Sequence, residues 1–137
     1  MIVKTQFLIA VLAIALLFPY GLIPADELDD GDWRRGRIYY RTTCTDCHKQ
    51  MTGEGISPAS RTIAEWSAYF DTDRHDQSGK TNSAVSYYTS REYRESVRAG
   101  NRVADKLIDL SDEELLKDVR AFLVHGASDS DNPTRCR

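Results

Sequence analysis

Cys44, Cys47 and His48 form a Cys-x-x-Cys-His pentapeptide, which constrains the fold of this chain more than any other feature. Two thiols at this spacing can each add to one vinyl group of a porphyrin, and the histidine that follows is then held beneath the iron. The motif therefore predicts one covalently attached haem with His48 as its proximal ligand. Because small domains bury little apolar surface of their own, we expect the chain to wrap around this cofactor.

The N-terminus has the order of an export signal. Lys4 precedes an apolar run over residues 7–18, and Ala25 stands just before an acidic stretch over residues 26–32. This order is typical of a signal peptide over residues 1–25, and we predict cleavage after Ala25. An uncleaved membrane anchor is the alternative, although the apolar run is shorter than the ~20 residues of a comfortable span. Because such haem attachment takes place outside the cytoplasm, the signal independently supports the haem and predicts a periplasmic or otherwise exported protein.

The charge of the chain argues against nucleic acid or an anionic membrane surface as its partner. The chain has 18 Lys and Arg residues against 21 Asp and Glu residues, a formal net charge of −3. Nucleic acid or an anionic membrane surface would require a basic stripe, and the sequence shows none. Residues 26–126 are expected to form one small domain, followed by a polar tail over residues 127–137 that we expect to be loose.

Apolar residues recur at helical spacing along the whole domain, which predicts an all-α fold without internal repeats. The first helix is expected around Trp33 and residues 38–40, and it delivers His48. A glycine-containing loop is expected over residues 51–58. A second helix is expected to begin at Thr62, which forms a Thr-x-x-Glu capping box with Glu65.

The second half of the domain has a polar loop and two further predicted helices. Residues 71–83 are rich in Asp, Ser, Thr, Asn and Gly, which is typical of a loop. A third helix is expected to begin at Ser90 and to end at Gly100 in the left-handed conformation. The last helix is expected to begin with a capping box between Ser111 and Glu114 and to stop at Gly126.

These features together resemble the class I cytochrome c family, the small single-haem electron carriers of periplasm and mitochondria. The resemblance covers residues 36–123. Gly36 and Tyr40 are similar to the glycine and aromatic residue of the family's N-terminal helix, and residues 111–123 are similar to its C-terminal helix. The resemblance implies that these two helices cross tightly. It also implies a protein that shuttles single electrons between larger redox partner proteins. The sequence shows no catalytic nucleophile, acid–base pair or phosphate-binding loop, so we do not expect an enzyme.

The resemblance also implies a role for Pro58, which lies near the place of a family proline. The main-chain carbonyl of that proline accepts a hydrogen bond from the proximal imidazole, which would be His48 here. A bond of this kind fixes the tautomer of the ring and raises its basicity as a ligand.

The chain departs from the family at the sixth iron ligand. The family uses a methionine between residues corresponding to Gly100 and the last helix, and residues 101–109 contain none. Met51 follows His48 by three residues, about one helical turn, and so cannot reach the opposite face of the macrocycle. We therefore interpret Met51 as a residue that packs against the haem edge.

Four other residues were considered for the sixth position. His75 is the first candidate, because its polar loop is long enough to fold over the distal side; an ordinary solvated histidine is the alternative. His125 closes the last helix. The helix dipole already explains an imidazole at that position, so we do not favour His125 as a ligand. Lys80 and Lys106 are outside candidates, and an open or water-bound site is a further possibility.

Two other functions stay open from the sequence. An open sixth site would bind a small gas or reduce peroxide. A structural zinc site could instead use Cys44, Cys47 and either a histidine or Cys136. If the first two cysteines are bonded to haem, Cys136 has no partner within the chain, which indicates either an intermolecular disulfide dimer or a free thiol.

Overall fold

The computed structural model describes residues 30–75, 82 and 84–135. Within these residues the chain is helical without strands, so the all-α prediction is confirmed there. The helices are α1 (Trp33–Thr42), α2 (Cys44–Thr52), α3 (Ile63–Asp71), α4 (Arg91–Val97), α5 (Arg102–Lys106) and α6 (Asp112–His125), with 3₁₀ segments at Pro58–Ser60 and Ser86–Thr89. None of the helices in this part of the chain is long and apolar enough to cross a membrane. The predicted signal peptide lies outside the described residues.

Helices α1 and α6 cross in close contact. Gly36 packs against the main chain of α6 so tightly that a Cβ atom at this position would overlap the carbonyl oxygen of Asp118. Near the crossing, the rings of Tyr40 and Phe122 lie 5.5 Å apart between centroids. The buried carboxylate of Asp118 accepts hydrogen bonds from the main-chain N–H of Asp32 and from the Arg35 guanidinium. The crossing that the family resemblance implied is therefore present in this fold.

The predicted helix starts are confirmed at three serine and threonine caps. Thr62 and Glu65 form the full capping box, with each side chain bonded to the main-chain N–H of the other residue. Ser90 caps α4, and the Ser111 side chain accepts a bond from the N–H of Glu114. The second half of that last box is absent, because the Glu114 carboxylate pairs with Arg35 on α1 at 2.6 Å.

Other boundaries differ from the predictions. Helix α2 continues to Thr52, so the loop begins at Gly53, which ends the helix in the left-handed conformation at φ 81°. Gly100 does not adopt the predicted left-handed conformation. The segment after it forms the unexpected helix α5, because the Asn101 side chain accepts bonds from the N–H groups of Val103 and Ala104. Asn101 also donates to the Thr42 carbonyl at 3.0 Å, which joins α5 to the end of α1.

The core lies between α1, α3 and α6 and is mostly aromatic and aliphatic. Its buried apolar members are Tyr39, Tyr40, Trp66, Phe70, Val85, Ala104, Leu115, Val119, Phe122, Leu123 and Ala127. Arg94 is also fully buried, and its guanidinium donates to the carbonyls of Leu107 and Leu110 and to the Asp112 carboxylate. One charged side chain thus holds the connection between α4 and α6 in place.

The described part of the C-terminal tail, residues 127–135, is hydrogen-bonded to the rest of the domain, whereas a loose tail was expected. Thr134 donates its main-chain N–H to the Gly126 carbonyl at 2.9 Å, and its own carbonyl accepts from the N–H of Ala59 and the Ser57 hydroxyl. The Asp129 carboxylate accepts a bond from the N–H of Ile63 at the start of α3. The packed part of the chain therefore continues past the predicted boundary at residue 126, because main-chain groups of the tail find partners on neighbouring segments.

The outer face of α1 is more basic than the sequence suggested. Arg34, Arg37 and Arg41 recur at three- and four-residue spacing, so the helix brings them to one exposed face. Ile38 lies among them and is 55% exposed, whereas the predicted apolar pattern placed it with the buried residues of this helix. The first helix thus buries Tyr39 and Tyr40 but presents a small mixed basic and apolar surface to solvent.

Candidate cofactor site

A cavity of about 790 Å³ lies between α2, α3, the Ser86–Thr89 segment and α6. This volume is within the range of small-molecule and cofactor sites, roughly 300–1,000 Å³. The cavity is bounded by Tyr40, Thr43, Cys44, Cys47, His48, Met51, Thr52, Ile56, Arg61, Glu65, Trp66, Ala68, Tyr69, Phe70, Thr72, Arg74, His75, Val85, Tyr88, Tyr93, Val119 and Leu123. Twelve of these 22 residues are apolar or aromatic, and the others include the charged side chains of Arg61, Glu65 and Arg74.

Cys44, Cys47 and His48 all lie in the cavity wall. The three residues fall at positions i, i+3 and i+4 of α2, and residues at this spacing share one face of a helix. Helix α2 begins directly after α1, with the N–H of Thr43 bonded to the Tyr39 carbonyl at 3.0 Å. The packing of α1 against α6 thus fixes where the motif begins and which way it faces.

Burial affects the ionisation of the motif. Desolvation, followed by the proximity of Cys47, raises the pKa of the Cys44 thiol to about 12, so this thiol is neutral near pH 7. Burial, and secondarily the nearby His75, lowers the pKa of the His48 imidazole. A neutral imidazole is the form that ligates a metal, so the environment of His48 favours the state that a ligand role requires.

His75 lies beside His48 in the cavity. The two imidazole rings are 5.7 Å apart between centroids and are inclined at 63°. His75 follows α3 by four residues, and its ring also contacts Tyr88 at 4.7 Å. Of the histidines and lysines considered as sixth ligands, His75 is the one that the described structure brings to the motif.

Met51, already excluded as a sixth ligand, lines the cavity, whereas His125 and Lys106 do not. Met51 is at the cavity rim, half-exposed, with its sulfur 3.8 Å from the Cys47 sulfur on the same helix. His125 stacks on Trp33 with ring centroids 4.4 Å apart and does not line the cavity. Lys106 is exposed on α5, away from the cavity, and Lys80 lies outside the described residues.

The Pro58 carbonyl has a partner other than the one expected. It accepts a hydrogen bond of 2.7 Å from the Trp66 indole Nε1, and Pro58 itself is buried outside the cavity wall. The hydrogen bonds of the described residues include none from the His48 ring to this carbonyl, so its proposed role toward His48 stays a prediction. The sequence did not predict Trp66 as the partner of this carbonyl. Their hydrogen bond holds the start of α3 against the Pro58–Ser60 segment.

A zinc site needs several donors in one place. Among the residues that the structure describes, no group of three or more His, Cys, Asp or Glu side chains is arranged to hold a metal ion. Cys136, which the zinc alternative and the disulfide prediction both invoke, lies outside those residues.

Comparisons with known proteins give no family for this chain. No protein-family model matches it, and no curated protein or solved structure shows a significant match. The function therefore has to be inferred from the cavity and the side chains that line it.

Proposed function

We propose that this chain is an exported monohaem c-type cytochrome that carries single electrons between larger redox proteins. Cys44 and Cys47 would hold the haem through thioether bonds, His48 would be the proximal iron ligand and His75 the sixth ligand. The observation that carries the proposal is that both thiols and both imidazoles line one apolar cavity of about 790 Å³.

The spacing of the two histidines supports this donor set. Their ring centroids lie 5.7 Å apart, so both imidazoles would be available as donors to one haem held in this cavity. The two thiols occupy the same wall as His48, which is where bonds to the porphyrin edge would have to form.

Haem, when bound, supplies the one-electron chemistry, and the residues of the chain set its surroundings. With haem bound, the aromatic and aliphatic part of the wall, which includes Trp66, Phe70 and Leu123, would cover the macrocycle and lower the local dielectric. Two neutral imidazoles donate strongly to iron and stabilise its oxidised state, whereas a methionine would favour the reduced state. We therefore expect a low reduction potential for a cytochrome of this size.

The alternative function, gas binding or peroxide reduction at an open sixth site, requires that no side chain reach the iron. The proximity of His75 to His48 argues against an open site. Carbon monoxide distinguishes the two functions, because an iron already bound by two side chains takes up this ligand slowly or not at all.

The decisive experiment is a mass measurement of the protein purified from cells that export it with residues 1–25 intact. We expect the mass of one haem to remain after acid–acetone extraction, on a chain that begins after Ala25. The Cys44→Ser, Cys47→Ser double variant should lose the haem, whereas the matched Cys136→Ser variant should keep it. A double variant that retains the full haem content would overturn the proposal.

A further inference from the structure

The two ends of the polar connection after α3 are tied together by one carboxylate. Asp73 accepts a hydrogen bond from the main-chain N–H of Ser86 at 2.7 Å and a second from the Ser86 hydroxyl at 2.7 Å. Asp73 lies two residues beyond the end of α3, and Ser86 begins the 3₁₀ segment Ser86–Thr89. This pair, named here the Asp73–Ser86 clamp, therefore closes the base of the connection.

The backbone conformation of Asp73 also helps to fix the path of the chain after α3. Its φ of 47° is the one positive value among non-glycine residues in the described part of the chain. Aspartate tolerates this left-handed region better than most residues do, and its N–H donates to the Phe70 carbonyl at 3.1 Å. The chain thus turns sharply out of α3 at Asp73, and this turn sets the direction of the next two residues.

The clamp places two cavity residues in contact. His75 follows Asp73 by two positions and Tyr88 follows Ser86 by two, and their rings are 4.7 Å apart. The Tyr88 carbonyl accepts a 2.6 Å hydrogen bond from the Tyr39 hydroxyl on α1. Because α1 leads into the motif that carries His48, the clamp connects His75 to the helix that positions the other imidazole.

We propose that Asp73 is a positioning residue for His75: its bonds to Ser86 hold the His75 imidazole beside His48 in the cavity wall, where both would ligate one haem iron. This inference rests on the proposed function. Loss of the clamp should let His75 leave the sixth position more often, without disturbing the thioether bonds or His48.

The test measures the rate at which carbon monoxide binds to the reduced holoprotein, because that rate is limited by dissociation of the sixth ligand. Asp73→Gly should raise the rate about tenfold or more, since it removes hydrogen bonds to a charged group. Ser86→Ala, which leaves the N–H bond, should have a smaller effect. The double variant should resemble Asp73→Gly alone, because both changes break the same interaction.

The substitution Asp73→Gly tests the role of the carboxylate without changing the backbone turn. Glycine adopts a positive φ freely, so Asp73→Gly keeps the turn and loses only the clamp. Asp73→Asn keeps the turn and one acceptor oxygen, and it should give an intermediate rate. Asp71→Asn is the matched control, because it removes a nearby exposed carboxylate that pairs with Arg120 instead. It should leave the rate unchanged.

A further pair of variants shows whether Asp73 acts through His75. In a His75→Ala background, Asp73→Gly should no longer change the rate; a persisting effect would overturn the inference. Wild-type rates in all the Asp73 and Ser86 variants, together with fast binding in His75→Ala, would also overturn it while leaving the proposed function intact. Should Asp73→Gly fail to fold, Asp73→Asn and Ser86→Ala decide the question. A protein without covalent haem would overturn both proposals.

Discussion

Gly36 on α1 lies directly against the main-chain carbonyl of Asp118 on α6, with no room for a side chain between them. This contact sets the distance between the helix that leads into the Cys-x-x-Cys-His motif and the helix that forms the back of the cavity. The position of the candidate site therefore depends on a residue that does not touch the cavity.

We expect Gly36→Ala to lower the free energy of unfolding by about 1–3 kcal/mol, because the added methyl group forces the helices apart. Urea denaturation of the wild-type and variant proteins measures the change. Gly100→Ala is the matched control: a Cβ there meets no atom within 4 Å, and its effect should stay within about 0.5 kcal/mol. Equal effects of the two substitutions would contradict the close crossing.

The second prediction concerns the sixth ligand. The oxidised wild-type protein should have a low-spin spectrum without the near-infrared band of sulfur ligation. His75→Ala should convert it to a high-spin form or to one that binds added imidazole. His125→Ala should change little, because that ring stacks on Trp33 outside the cavity. An unaltered low-spin spectrum in His75→Ala would exclude His75 as the ligand.

The third prediction tests the buried charge of Arg94. Arg94→Met fills similar space but removes the Arg94 donor from the part-buried carbonyls of Leu107 and Leu110 and leaves Asp112 without its buried partner. We expect this to cost about 2–4 kcal/mol, although Leu107 keeps the N–H of Leu110 as a donor. Arg98→Met is the matched control, because Arg98 pairs with Asp105 while both side chains are half-exposed. Its cost should not exceed about 1 kcal/mol. Chemical denaturation would compare them, and similar costs would show that Arg94 is not a structural centre.

The fourth prediction is alkaline instability that involves Tyr39. Burial raises the pKa of Tyr39 above its ordinary value of 10.0. The stabilisation linked to its neutral form is therefore fully present below about pH 10 and is lost above it, because the unfolded chain ionises first.

Tyr39→Phe should be less stable than the wild type near neutral pH, since it loses the 2.6 Å bond to the Tyr88 carbonyl. The free energy of unfolding should then fall less steeply above pH 10 than in the wild type, so the two curves converge. Denaturation at a series of pH values measures this, and parallel curves would show that Tyr39 does not contribute.

The helix starts could be predicted from the sequence because the bonds that form them are local. Each of these helices is capped by a side chain that accepts a hydrogen bond from a main-chain N–H three residues later. The pairs are Thr62 with Glu65, Ser90 with Tyr93, and Ser111 with Glu114. The placement of Cys44, Cys47 and His48 in one wall follows in the same way, because helical spacing alone puts them on one face. These features need no knowledge of the rest of the fold.

Only the tertiary structure decided which distant groups meet. The Trp66 indole donates to the Pro58 carbonyl, and the Ser57 hydroxyl donates to the Thr134 carbonyl across 77 residues. His75 was predicted only as the first of several candidates, and its ring lies 5.7 Å from that of His48. Each outcome depends on how α1 and α6 cross and on where α3 packs against them. A sequence pattern specifies the partners within a helical turn, but contacts between segments far apart depend on the packing of whole helices, where steric fit and the pairing of buried polar groups select one arrangement.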